Sequence, residues 1–219
     1  MRCEGSPMFT HTHHHDTHSV SHNAPLFPEA GEFLEYLLRT RRSVRRFRAE
    51  PIPLDSVAQL VWAAQGNVNE AGLRTVPSAG ALYPLTVYAV AGNVEGLNSG
   101  VYKYVPRTHN LACSREGDLR DALSVAALGQ VWVRHAPVDL VITADFTRTT
   151  DRYHDRGLRY VYMEAGHAAE NVYLLATALG LGTVAIGAFD DDQVVRALHL
   201  PIAEHPLYIM PIGIPYCAL

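Results

Sequence analysis

Apolar positions recur with two different periods along this chain, and the switches between them predict its elements. In "PEAGEFLEYLLRTRRS" a helical period puts Phe33, Tyr36, Leu37 and Thr40 on one face, and the helix runs into a group of arginines. "PLDSVAQLVWAAQG" repeats that period with Val57, Leu60, Val61 and Ala64, and Gly66 supplies a stop. "PLTVYAVAG" then predicts a strand after the turn at Pro84, and "GVYKYV" and "NLACS" predict a hairpin across "PRTH". "DLRDALSVAALG" returns to helix, and "VDLVITADF" is a continuous apolar run of strand length. The longest predicted helix covers Gly157 to Leu179, with Tyr160, Met163, Ala168, Val172, Leu175 and Leu179 as its buried side. "GTVAIGAF" as strand, "DDDQVVRALHL" as helix with an acidic first turn, and "PLYIMPIGI" as the last strand complete the order. Helices and strands follow one another without a regular βαβ alternation, so the fold class is α+β.

The patterned region occupies 24–219, one domain by length. Residues 1–23 lack the pattern, hold half of the chain's 12 histidines, and are expected to be a disordered tail. His14, His18 and His22 would align only on a helix that their neighbours do not favour, so no evolved metal site is expected. A formal net charge of -4 argues against a nucleic-acid partner. The absence of an apolar run of about 18 residues argues against a membrane span. Cys3, Cys113 and Cys217 form neither a disulfide framework nor a zinc pattern, so a cytoplasmic protein is expected.

Against that acidic background, six of the 18 basic side chains fall between Arg39 and Arg48. On a helix end, Arg41 and Arg45 share a face and Ser43 adds a hydroxyl, a constellation suited to a phosphate monoester; a solvated basic helix terminus would look the same. "VPSAGALYP" brackets small residues with Pro77 and Pro84, which lets backbone approach a ligand or simply makes a surface loop. "AIGAFDDD" leaves small residues at a strand end, for a flat ligand or for tight strand–helix packing. "GLGTVA" matches a dinucleotide fingerprint in letters only, because it closes a helix and opens a strand.

Together and in this order, "RRSVRRF", "PSAGALYPLTVYAV", "GVYKYVPRTHNL", "RYVYMEAGHAAENVYLLATALGLGTVAIGAFDDD" and "LYIMPIG" resemble the nitroreductase-fold flavoenzymes, most narrowly the SagB-type or thiazole/oxazole oxidase branch. The resemblance implies a nitroreductase-like fold: a central mixed, antiparallel-rich sheet flanked by helices, in an intertwined homodimer that binds FMN at the subunit interface. It carries the FMN phosphate and ribityl contacts onto Arg41, Arg42, Ser43 and Arg45. It places Pro77, Ser78, Ala79, Gly80, Ala81 and Leu82 against the flavin from the partner subunit. It brings Ile186, Gly187 and Ala188 to the flavin edge, with backbone N–H groups of the last two at N5 and O4.

In azoline-oxidising relatives a Lys-Tyr pair is implicated in proton transfer, and Arg152-Tyr153 occupies its place here. Arginine does not serve as a base, whereas its charge favours ionisation of a neighbouring phenol, which leaves Tyr153 in the catalytic role and Arg152 beside it. The resemblance implies two-electron dehydrogenation through flavin N5, with an azoline-bearing peptide as substrate. The alternative is an NAD(P)H-dependent nitro or quinone reductase acting on small molecules; a non-catalytic flavin-binding homologue is the third reading. Glu164 and His167, at i and i+3 of the long helix, are expected to form a hydrogen-bonded structural pair.

Overall fold

The computed structural model describes residues 28–217. The histidine-rich tail and Cys3 lie outside the described residues. In chain order the elements are α1 (Pro28–Thr40), β1 (Ile52–Pro53), α2 (Leu54–Gln65), β2 (Leu85–Ala91), β3 (Val94–Glu95), β4 (Gly100–Val105) and β5 (Asn110–Glu116). They continue as α3 (Arg120–Ala126), α4 (Val131–His135), β6 (Val138–Ala144), α5 (Thr147–Tyr153), α6 (Asp155–Ala178), β7 (Gly182–Thr183), α7 (Asp191–Leu198) and β8 (His205–Gly213).

Six strands form one sheet in the order β5-β4-β2-β6-β8-β7, with every neighbouring pair antiparallel. Parallel pairing is confined to β1 with β3 and to a single bridge between Ser43 and Thr183. β1 and β3 form a separate two-stranded sheet, so the six-stranded sheet is antiparallel-rich and mixed only through the Ser43 bridge at its β7 edge.

Why β6 is apolar along its whole length follows from what covers it. Leu140 and Ile142, with Val87 and Ala89 of β2 and Met210 and Ile212 of β8, face α2 and α6. Val141, Tyr88, Val90 and Ile209 face the opposite layer of α3, α4 and α7 through Leu123, Val133, Val194 and Leu198. Helices cover both faces, so the period-2 signal of a half-exposed strand is lost.

Three expectations shift. Val161, Ala165, Ala168, Val172 and Ala176 form the buried stripe of α6, while Met163 is exposed. Met163 is flexible and apolar, so hydropathy alone drew the stripe around the helix from its true position. The expected strand over "GTVAIGAF" pairs only at Gly182–Thr183 and, separately, at Ile186 opposite Ile209. Among the described residues of α1 only Leu37 is fully buried; Phe33, Leu34, Tyr36 and Leu38 are exposed, an apolar helix face that no other described residue covers. Gly180, at φ 70, ends α6 in the left-handed conformation that the sequence indicates.

Gly157 sits where α6 crosses α5. A Cβ there would lie 2.9 Å from Thr150 Cα and 3.0 Å from Thr150 N, backbone atoms that cannot rotate away. Replacing glycine by alanine in an open helix ordinarily gains up to about 1 kcal/mol. Here overpacking reverses the sign, and Gly157→Ala is expected to cost about 1–3 kcal/mol in urea unfolding. A variant as stable as the wild type would contradict this close approach.

Candidate functional site

Beyond α1 the chain runs extended along the outer edge of the sheet. Val44 N donates to Thr183 O at 2.8 Å, Arg48 N to Ile214 O at 2.9 Å, and Tyr216 N to Arg46 O at 3.0 Å. Glycine at 182 makes this possible, since a Cβ there would meet Val44 Cβ at 2.6 Å. Annealed in this way, the arginine segment presents its side chains from a fixed backbone.

Ser43 Oγ shares a 3.0 Å hydrogen bond with the Tyr173 hydroxyl, which also accepts from Ala185 N at 2.8 Å. Arg41 Cζ lies 5.1 Å from the Tyr173 ring centroid, and its Nε is 3.6 Å from Glu170 Oε1. Tyr173, which no motif in the sequence singles out, thus ties Ser43 and Arg41 to the backbone beside Ile186. Arg45 Cζ sits 5.9 Å from the Trp132 ring centroid and has no carboxylate partner among the described residues. Buried Trp132 Nε1 and Thr183 Oγ1 also lack hydrogen-bond partners. Gly187 and Ala188 are exposed, their N–H groups make no backbone hydrogen bond, and Ala188 O is held by Gln130 Nε2 at 2.9 Å. Unpaired guanidinium, indole, hydroxyl and amide donors at one edge fit a phosphorylated, acceptor-rich ligand. Arg42 turns away from this group, its Nη1 donating to Arg39 O and Arg41 O at the end of α1.

The second cluster surrounds the turn at Pro77–Leu82. Gly80, Ala81 and Tyr83 have φ of 61, 54 and 48, so two non-glycine residues hold the left-handed conformation. Such strain persists only where surroundings enforce it. Tyr83 N donates to Ser78 Oγ at 2.9 Å, and Arg74 N to the Tyr83 hydroxyl at 3.3 Å. Gly80 packs under α5: a Cβ there would fall 2.8 Å from the Tyr153 hydroxyl and 3.1 Å from Arg152 Nη1. Arg152 Cζ is 5.5 Å from the Tyr153 ring centroid, and Tyr153 rests edge-on against Tyr160 at 5.2 Å. One chain therefore brings the turn and the Arg152-Tyr153 pair together, but not with the arginine edge. Glu164 and Tyr173, which mark the two clusters on α6, are separated by about 13 Å of helix.

Glu164 is buried, while His167 is exposed and makes no contact with it, which overturns the expected pair. At i and i+3 their side chains diverge, because the buried stripe passes through one of them only. Burial pushes the Glu164 carboxyl up from its ordinary 4.5 to about 7, against the opposing pull of Ser78, Arg74, Gln65 and Arg148. Its Oε1 has no hydrogen-bond partner. No spacing in the sequence marks Glu164, Gln65 or Arg74 as neighbours; the fold alone assembles them.

A carboxyl raised in the folded state contributes stability that is full below pH 4.5 and is lost as pH rises through about 7. Wild-type unfolding free energy is expected to fall between about pH 5 and about pH 8, and Glu164→Gln to flatten that slope. Denaturant titrations at both pH values check this, and an equal slope in the variant would refute the assignment.

Among proteins of known sequence, one from Methanocaldococcus jannaschii that is provisionally named a nitroreductase is 47% identical over 180 residues, 82% of this chain and 90% of its own. The FMN reductase [NAD(P)H] of Bacillus subtilis is 28% identical over 81% of this chain and 64% of its own. The microcin B17-processing protein McbC of Escherichia coli is 30% identical over 58% of this chain, which spans about half (48%) of that protein. The nitroreductase family model matches residues 38–214, from the end of α1 past β8 and so across both clusters. The chain belongs to the nitroreductase family.

Proposed function

We propose that this chain is an FMN-dependent oxidoreductase whose flavin site is completed by a second copy, and that it dehydrogenates azoline rings in a modified peptide. One observation carries the reading: phosphate-type donors and a strained turn backed by Arg152 and Tyr153 stand apart in one chain. The uncovered α1 face supplies a reason for pairing. Phe33, Leu37 and Trp62 line an apolar groove of about 400 Å3 with Asn171, Leu174 and Leu175 of α6. Burying such a face against a like copy would stabilise a dimer by the hydrophobic effect.

In this reading Arg41, Ser43 and Arg45 hold the FMN phosphate, and Arg42 fixes the segment by capping α1. Gly187 and Ala188 offer backbone N–H groups to the ring edge, and Pro77, Ser78, Ala79, Gly80, Ala81 and Leu82 of the other copy lie across it. Bound FMN supplies an acceptor for a hydride. The Tyr153 hydroxyl, held against the Gly80 backbone, takes the proton that leaves the substrate. Arg152, with its guanidinium against the phenol ring, keeps that ring in place. The microcin-processing likeness supports a peptide azoline; the longer match to the FMN reductase favours a second reading, NAD(P)H-dependent reduction of nitro compounds or quinones.

Anaerobic bleaching of the flavin absorbance separates the two: the proposal expects bleaching by an azoline peptide and none by NADH or NADPH. Bleaching by a nicotinamide alone would replace it with the reductase. Replacing Arg41 and Arg45 together with Ala is expected to strip flavin while leaving far-ultraviolet circular dichroism intact; retained flavin would refute the phosphate assignment. Tyr153→Phe is expected to keep flavin and slow substrate oxidation by about 10²–10⁴-fold, the usual worth of a general base. Unchanged turnover would remove Tyr153 from the mechanism.

A further inference from the structure

Behind the strained turn lies a cavity of about 220 Å3, bounded by Gln65, Arg74, Lys103, Tyr104, Pro106 and Arg148. A wider groove of about 500 Å3 adjoins it, sharing Arg74, Val105 and Pro106, so the cavity opens outward past Arg107. Four elements meet at its wall: the end of α2, the neighbouring strands β2 and β4, and the start of α5.

Its charge is not balanced from within. Lys103 is paired, its Nζ donating to Glu204 Oε1 at 2.8 Å. Arg74 and Arg148 have no carboxylate within salt-bridge distance among the described residues. The Arg74 guanidinium sits over the Tyr83 ring, its Cζ 4.6 Å from the centroid, and donates to Gln65 Oε1 and Leu85 O, both neutral. Arg74 and Arg148 repel each other, which together with burial makes the Arg74 cation less stable. Glu164, nearby, attracts both but is itself held partly neutral at physiological pH. The excess is roughly one to two positive charges in a half-buried space, where unpaired charge is costly.

A second observation is independent of charge. Gln65 is 1% exposed, and its Nε2 has no hydrogen-bond partner. Buried amide donors are normally satisfied. The Glu164 carboxyl is the acidic group beside this amide, so the donors that the cavity itself presents are the two arginine forks. The planar fork of arginine matches a carboxylate or phosphate group with paired N–H donors.

We propose that this cavity is a binding site for a small oxyanion, a carboxylate or phosphate group, that bridges Arg74 and Arg148. The site is distinct from the arginine edge assigned above to the flavin phosphate, and the binding stands whether or not the oxidoreductase reading does. Carboxylate and phosphate share this chemistry, and separate titrations tell them apart.

Isothermal titration of the full-length protein as purified, with succinate and separately with inorganic phosphate at constant ionic strength, tests the site. At least one ion is expected to bind saturably, and the tighter one names the group. Arg148→Gln, on an exposed side chain, is expected to weaken that binding at least about tenfold, as loss of one charge-assisted bidentate contact would. Arg107→Gln, in the outer groove only, is expected to leave it within about twofold. Flavin absorbance is read on each sample and is expected to stay constant through Arg148→Gln. Binding by a colourless protein would uphold the oxyanion site and sink the flavin reading. The proposal is overturned if neither ion saturates the wild type, or if Arg148→Gln and Arg74→Gln both bind as the wild type does.

Discussion

A single rigid helix sets the geometry of everything proposed for this protein. Over its 24 residues, α6 carries Glu164 under the strained turn and Tyr173 under the arginine edge. Its buried stripe, Val161 to Ala176, is packed on the central sheet, so neither group can approach the other by bending. Two sets of functional side chains are thus held apart at fixed spacing. In the proposed site the two sets come from two chains, and the apolar α1 face left exposed among the described residues would give the second chain somewhere to bind.

Charge is distributed to suit that arrangement. Arg42 is spent on the carbonyl end of α1, and Arg46 lies over the Tyr216 ring at 5.0 Å. Arg41 and Arg45 keep donors unspent. On the other side, Arg74 and Arg148 stand without carboxylates around a cavity that the phosphate edge does not touch. Arg45 at the sheet edge and Arg74 and Arg148 at the cavity thus carry no carboxylate partner among the described residues. Two buried acids show the same cost of burial from the opposite direction: desolvation raises the pKa of Asp139 as well as that of Glu164.

Much of this was legible in the sequence where the physics is local. The hairpin at 100–116, the α2 period, the left-handed Gly180 and the acidic start of α7 follow from turn chemistry, spacing and capping. Asp190 caps α7 by accepting from Gln193 N, as its acidic run suggests. The motif stretches around Ser43, Gly80 and Gly187 could be picked out because small or like-charged residues cluster there. Neighbours that meet only through the sheet could not be seen. Tyr173 reads as helix core, Arg74 as a loop cation and Gln65 as a helix end, and only the fold sets Tyr173 against Ser43 and Arg74 against Gln65. The Glu164–His167 pairing failed for a related reason: spacing on a helix puts two residues on adjoining faces without saying which face is buried.

The central claim is that one working site draws its phosphate edge from one copy and its turn from another. Co-expression of the Arg41→Ala, Arg45→Ala double variant with the Tyr153→Phe variant tests it most directly, with flavin content and turnover read on the mixture. In a shared-interface site, each mixed dimer regains one site with an intact phosphate edge and an intact Tyr153. Turnover should then rise to about one quarter of the wild type for random pairing of the two chains. If each chain carries a whole site of its own, no mixture contains an intact one. Turnover of the mixture no higher than that of the separate variants would contradict the account.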